Sequence, residues 1–308
     1  MSRPREHNHE STVDASFAGV RLDKYIAEAL NLFSRSQIQH RNLSARVNGK
    51  AVKLSSRVVE GDLVQLTFDE PAASEITPED IPLDILYEDE DVVVINKPAG
   101  MVVHPAAGHW SGTVVQALMY HISGLRGRFD DPVRPGIVHR LDRDTTGVLI
   151  AAKHPAAVEL LARQFKARTA KKTYIAMVKG QMNSTRGVFE GALARDPNNR
   201  KRYAVVNAGG KEAVTEYRLL HQAADFALVE LRPRTGRTHQ LRVHLSHDGH
   251  PIIGDPVYGR KSGPFAGLPL MLHAATLEIS LPSGEPASFH APLPQPFLTV
   301  WPTDLPLP

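Results

Sequence analysis

The sequence predicts an α+β fold, a mixed and largely antiparallel sheet with flanking helices, preceded by a small α/β unit. Three observations carry this reading. Beyond residue 82, strand-like segments outnumber helical ones too heavily for regular strand–helix alternation, which favours antiparallel pairing. Before residue 70, two helix-like stretches and an Asn-Gly turn make a compact unit of their own. Between them, "DEPAASEITPEDIP" is rich in proline, acid and small residues and marks a linker. The expected organisation is a disordered tail over 1–14, a small domain over 15–69, a linker over 70–82 and a main domain over 83–308.

In the small unit, Leu22, Tyr25, Ile26, Ala29 and Leu30 recur at helical spacing and share one face. Ser34 and Gln37 form a capping-box pair opening a second helix. Asn48-Gly49 separates short strand-forming segments, because both residues tolerate positive φ. "GDLVQLTF" alternates as a half-buried strand. In the main domain "VVVINK", "GIVH", "GVLIAAK", "TYIAMV", "TEYRLL", "FALVELR" and "LEISL" read as strands, and "AAVELLARQFKAR" and "THQLRVHLSH" as helices. The proline-dense end "APLPQPFLTVWPTDLPLP" reads as an irregular packed tail.

With 308 residues, 42% of them hydrophobic, the chain can bury a substantial core. It has no cysteine, which excludes disulfides, thiolate metal sites and a cysteine nucleophile. The N-terminus lacks the apolar stretch of a secretory signal and no later run reaches the length of a membrane span, so the expected location is the cytoplasm. The formal charge is only +3, but the signs are segregated: "RQFKARTAKK" carries Arg163, Lys166, Arg168, Lys171 and Lys172 with no acid, Arg200 to Arg202 form a second basic cluster, and acids gather at 88–91. Such basic runs suit phosphate contacts and equally suit a solvated helix face.

Two segments carry candidate chemistry. "GIVHRLDRDTTGVLI", residues 136–150, places a polar excursion between apolar strands. Asp142 is its central residue, a carboxylate beside cations that can act as nucleophile or base, or simply as an ion pair. Thr145, Thr146 and Gly147 suit the turn. "RPRTGRTHQLRVHLSHDGHPIIGDPVYG", residues 232–259, places Arg237 at the start of a helix, where a guanidinium can grip an anion with two prongs. His239, His244, His247 and His250 invite a metal reading, yet the spacing matches no metalloenzyme motif, so neither a metal nor a cofactor is expected. No nucleotide-cradling or serine-nucleophile motif is present.

The order "RLDKYI", "SRSQI", "VNGK", "GD" resembles the S4 RNA-binding domain, and the resemblance assigns RNA contacts to Arg21, Lys24, Arg35 and Lys50. "HRLDRDTTG", with "KPAGMVVHP" before it and "KKTYIAMVKG", "TGRTHQLRVHL", "GDPVYG" and "LHAATLEI" after it, resembles the RluA family of pseudouridine synthases, most of all its RluD branch. That resemblance implies the pseudouridine synthase fold and the isomerisation of uridine in large-subunit ribosomal RNA without cofactor: the N1–C1′ bond breaks, the uracil turns, and C5 rejoins C1′. It further implies that Asp142 is the catalytic aspartate, that Tyr174 lies against the target base and that Arg237 pairs with Asp142. His139, Arg140, Leu141 and Thr145 shape the loop, and Arg168, Lys171 and Lys172 hold RNA. A monomer suffices, and no membrane is involved. A non-catalytic RNA-binding ribosome assembly factor and a metal-dependent hydrolase are the competing classes.

Overall fold

The structure is a computed structural model that describes residues 6–30, 38, 43–69, 77–105, 111–129, 134–197, 199, 202–259 and 264–301. The chain divides into two compact units, Met1–Glu75 and Ile76–Pro308. In the first, β1 (Glu6–Thr12), β2 (Ser44–Val47), β3 (Lys50–Ala51) and β4 (Leu63–Asp69) form a four-stranded sheet in the order β1-β4-β2-β3, and α1 (Leu22–Glu28) packs against it. The apolar face of α1 (Leu22, Tyr25, Ile26) meets Val64 and Leu66 of β4 in one core. Asn48 and Gly49 have φ of 51° and 76°, the paired left-handed geometry of a tight hairpin. Residues 6–12, expected within a disordered tail, instead pair with β4 from Glu6↔Asp69 to Thr12↔Leu63. Polar "EHNHEST" hides this strand from a hydrophobicity reading, because its edge position leaves much of it in water. The Ser34–Gln37 capping box and Arg35 lie outside the described residues.

The second unit is built on β5 (Ile85–Glu88), β6 (Val92–Lys97), α2 (Val114–His121), β7 (Thr146–Ala152), α3 (Pro155–Ala167), β8 (Lys171–Lys179), β9 (Arg186–Arg195), β10 (Tyr203–Val206), β11 (Lys211–Gln222), β12 (Phe226–Pro233), α4 (Gln240–His247), β13 (Leu272–Ser280), β14 (Pro286–His290) and α5 (Gln295–Leu298). The ten-stranded sheet runs β10-β9-β11-β12-β8-β13-β7-β6-β5, with β14 on β13. Every pairing of these strands is antiparallel except β13 with β7. Expected strands β6, β7, β8, β11, β12 and β13 are present. "GIVH" makes only an isolated bridge, Ile137↔Ala151.

Strand β6 shows why its sequence is an unbroken apolar run. Val93 and Ile95 pack with α2, whereas Val92 and Val94 pack in a separate core with Leu161 of α3. Both faces of the sheet are covered, and each fully buried aliphatic side chain contributes about 1.5–3 kcal/mol. Part of the expected linker also belongs to this unit: the Glu79 carboxylate accepts from Gln116 Nε2 of α2, and from the Gly112 N–H at 2.9 Å. The proline-rich end carries α5, whose Phe297 is buried in the main core.

The loop between Gly136 and Gly147 is pinned where it meets the sheet. A Cβ on Gly136 (φ 74°) would lie 2.1 Å from the Ala152 carbonyl oxygen, and one on Gly147 (φ 112°) 2.2 Å from that of Ala274. Gly147 stands in the parallel register with Ala274, so the strands there meet backbone to backbone. Gly147→Ala is expected to destabilise the protein by at least about 2 kcal/mol, through strain at positive φ and loss of that contact. Urea unfolding measures it.

Candidate active site

Asp142 lies on the loop between the two glycines. Its neighbour Leu141 is buried under α2 with Val114, Leu118 and Leu149, which anchors the loop from below. Lys97, at the end of β6, ties it from behind: this fully buried ammonium donates to the carbonyls of Pro98 (2.7 Å), Met101 (2.9 Å) and Arg143 (2.9 Å). Burial pulls its pKa down to about 8, against the favourable charges of Asp144 and Asp142. Thr146 bonds His273 at 2.8 Å. His273 Nε2 contacts the Ala291 carbonyl at 3.2 Å, so that nitrogen carries the hydrogen and Nδ1 accepts from the threonine hydroxyl.

The sequence places Asp142 between two arginines, but neither holds it. Arg143 pairs with Asp144 at 2.9 Å, and Arg140 is exposed. The guanidinium that does hold it comes from α4: Arg242 Nη1 donates to Asp142 Oδ2 at 3.0 Å. Its other two nitrogens grip Asp255, Nε at 2.7 Å and Nη2 at 2.8 Å. Asp255 Oδ1 also accepts the N–H groups of Val257 (2.8 Å) and Tyr258 (3.0 Å). The Asp255 side chain is 0% exposed and that of Arg242 6%, against 19% for Asp142, so the triad runs from the interior to the cleft. Burial opposes both inner charges, but each outweighs it for the other: Asp255 is held below the usual carboxylate range and Arg242 above the usual guanidinium value.

Arg237, the expected partner of Asp142, turns elsewhere. Its Nε donates to the Glu212 carbonyl of β11 at 3.0 Å. The turn before α4 is fastened to β11 by Gln240, whose Oε1 accepts from Thr235 Oγ1 (2.7 Å) and the Arg237 N–H (3.0 Å), and whose Nε2 donates to Val214 O (3.0 Å) and Thr215 Oγ1 (2.9 Å). Arg237 therefore sits on the turn facing β11, while Arg242 lies on the buried face of the helix that reaches the loop. The signal for Arg242 was in the sequence: an arginine set among Leu241, Val243 and Leu245 must be buried, and a buried guanidinium needs a carboxylate.

These groups border a cleft of about 1070 Å³. It brings together Asp142, Tyr174, Arg237, His139, Arg140, Leu141, Thr145, Arg168, Lys171 and Lys172 from the candidate residues, with Arg242 and His239 added. Lining cations outnumber acids nine to three, so a polyanion is attracted to it. Tyr174 sits on β8 between Leu231 and Ala274 in register, and burial, reinforced by the Asp142 charge, keeps its phenol protonated. His139 stacks on Phe165 with ring centroids 4.5 Å apart and accepts the Ile150 N–H at 3.0 Å, a loop-shaping role. Arg21 pairs with Asp23 at 2.9 Å in the other unit, Lys24 lies 3.6 Å from Glu28, and Lys50 is exposed. Three of the four histidines of the metal reading have separate partners, His239 on Tyr258, His244 on Thr215 and His250 on the Lys179 carbonyl, and the four form no metal-holding group among the described residues.

A family model described as RNA pseudouridylate synthase matches residues 91–247, which contain the loop, Tyr174 and α4. The chain belongs to the RNA pseudouridylate synthase family. Ribosomal large subunit pseudouridine synthase D of Borreliella burgdorferi is 45% identical over 286 residues, covering 91% of this chain and 88% of that protein. The protein of the same name from Zymomonas mobilis subsp. mobilis is 41% identical over 301 residues, covering 92% and 93%. Among solved structures, human RNA pseudouridylate synthase domain containing 1 superimposes with a TM-score of 0.60 at 28% identity, over 78% of this chain and 91% of that one. As an RNA pseudouridine synthase, the chain is an isomerase.

Two outcomes follow for this synthase. Arg242→Lys keeps the charge but cannot bridge two carboxylates, so conversion of uridine is expected to fall at least about 100-fold, whereas Arg237→Lys stays within about threefold; single-turnover rates compare them. Burial, with the Lys172 charge adding, pulls His139 from 6.5 to about 3, and burial, with His247 adding, pulls His244 from 6.5 to about 4. The unfolded chain takes up these protons first, so the stability they contribute is full above 6.5 and is lost as pH falls toward the folded values. In His139→Gln the decline of unfolding free energy between about pH 6.5 and pH 4 should be shallower than in the wild type.

Proposed function

We propose that the chain isomerises specific uridines of large-subunit ribosomal RNA to pseudouridine in the cytoplasm, with Asp142 as the catalytic carboxylate. The observation that carries this reading is the triad Asp255–Arg242–Asp142 at the floor of a cationic cleft. A uridine within folded RNA must be extruded before its glycosidic bond can be reached, at a cost of a few kcal/mol. Phosphate attraction and ring stacking offset that cost. Tyr174 supplies the stacking surface. Lys172 is drawn below its ordinary pKa by burial and forms no ion pair among the described residues, so a phosphate is a fitting occupant beside it.

In the reaction the N1–C1′ bond breaks and its electron pair leaves on the uracil. The C5–C1′ bond then forms from the ring's electrons, C5 loses its proton and N1 gains one, so the product is an isomer. Positive charge developing at C1′ is stabilised by an ionised Asp142. Arg242 acts as a positioning residue, fixing Oδ2 with a single N–H. The S4-like unit, with Arg21, Lys24 and Lys50, would anchor RNA away from the reacting base, and the names of the relatives support a ribosomal substrate.

Asp142→Asn keeps the size of the side chain, and Arg242 remains held by Asp255. RNA affinity is therefore expected within about threefold of the wild type, and conversion is expected to fall by at least about 10⁴-fold. Release of tritium from C5-labelled uridine in large-subunit ribosomal RNA measures conversion. Wild-type release by the variant would remove Asp142 from the chemistry; no release by either protein would favour an assembly factor.

A further inference from the structure

His239 has no part in the reading above, yet the structure equips it for one. Its backbone is left-handed, φ 57° and ψ 17°, a conformation that costs a non-glycine residue about 1–2 kcal/mol. Its ring is fixed edge-on to two tyrosines, Tyr203 at 5.8 Å and Tyr258 at 5.6 Å between centroids. The Tyr203 N–H donates to Tyr258 Oη at 2.8 Å, and Tyr258 Oη lies 2.9 Å from His239 Nδ1. With Oη already accepting from Tyr203, we assign the phenol's one hydrogen to His239 Nδ1, its hydrogen-bond acceptor among the described residues. The Tyr258 ring centroid lies 5.2 Å from the guanidinium carbon of Arg202 and 5.3 Å from that of Arg242. A neutral imidazole that accepts at Nδ1 carries its own hydrogen on Nε2. That nitrogen lies 3.9 Å from Asp142 Oδ2, too far to bond it. His239 also lines the cleft.

We propose that His239 is a further catalytic residue, whose Nε2–H donates a hydrogen bond to a carbonyl oxygen of the target uracil and stabilises the anion formed as the base leaves C1′. This rests on the isomerase reading and deepens it. When N1–C1′ breaks, the electron pair spreads over N1, O2 and O4 of the uracil. O2 is three bonds from C1′, so a donor beside the carboxylate facing C1′ lies within reach of it. Arg242 is the poorer candidate: three of its five N–H groups are committed to Asp142 and Asp255, and its side chain is 6% exposed against 19% for His239. A donor fixed by two tyrosines before the substrate arrives needs no reorganisation as the charge develops.

The test uses the full chain and a large-subunit ribosomal RNA fragment that the wild type converts. His239→Phe keeps the ring and removes the donor, while His239→Gln restores an N–H near the position of Nε2. The expected result is a single-turnover rate about 100-fold lower for His239→Phe with RNA affinity within about threefold, and recovery of most of the loss in His239→Gln. RNA carrying 2-thiouridine or 4-thiouridine at the target identifies the oxygen: the weaker acceptor slows the wild type and leaves His239→Phe unaffected at the atom contacted. Near-wild-type turnover by His239→Phe, equal loss in both variants, or loss of affinity in step with rate overturns the proposal. So does an equal response of wild type and His239→Phe to both thio-substitutions. Should His239→Phe not fold, Tyr258→Phe takes its place, because it frees Nδ1 and lets the hydrogen leave Nε2; an unchanged rate there is equally fatal. Wild-type conversion of the fragment separates this inference from its parent, and its absence removes both.

Discussion

One guanidinium shared between two carboxylates organises the second unit's chemistry. Asp255 takes two of the three nitrogens of Arg242 and two backbone N–H groups besides, so its charge is fully matched in the interior. Breaking such a buried pair by removing one member costs about 3–5 kcal/mol, which fixes Arg242 in place whether or not the cleft is filled. The third nitrogen then meets Asp142 with one hydrogen bond. The result is a carboxylate that is oriented without being neutralised, since the group of three retains a net negative charge at the one member the solvent reaches.

The loop that carries Asp142 is held through its main chain, its apolar residues and the side chains at its flanks. Lys97 ties the Arg143 carbonyl to those of Pro98 and Met101, two glycines permit close backbone approach at either end, Leu141 is drawn under α2, and His139 and Thr146 bond Ile150 and His273. That division leaves Arg140 exposed and without a hydrogen bond or ion pair among the described residues, while the backbone beneath stays in one geometry.

Much of this was legible in the sequence, and the omissions have physical causes. The buried strands declared themselves because β6 and β7 are covered on both faces and so carry the unbroken apolar runs Val92–Ile95 and Val148–Ala152. The importance of Asp142 showed in a polar excursion between such strands. Its partner was misassigned to Arg237: a contact across 100 residues depends on where α4 docks, and the one hint for Arg242, its setting among Leu241, Val243 and Leu245, points to burial without naming the carboxylate it meets. Strands β9 and β10 were missed because they lie toward the sheet's far edge, where "RGVFEGALAR" alternates only weakly and Val188 is exposed. Helix α2 was missed because Val114, Val115, Leu118 and Met119 are all buried, so no polar face revealed the helical period. The edge strand β1 was missed for the opposite reason, being polar throughout.

The cationic lining and the neutral histidines belong together. A cleft that attracts RNA by positive charge also penalises any further positive charge within it, so burial and neighbouring cations act in the same direction on an imidazole there. For His139 the neighbour is Lys172; for His239 burial alone carries the shift, because Asp142 and Asp255, which favour the charged ring, outweigh Arg242 and Arg140. An uncharged imidazole keeps one donor and one acceptor with fixed identities. His139 uses its acceptor to hold the Ile150 N–H, and His239 uses its acceptor to receive the Tyr258 hydroxyl. Burial thus keeps each ring uncharged in a cleft whose cations draw a phosphate backbone in, so order at the reacting base comes from desolvation and affinity for the polyanion from charge.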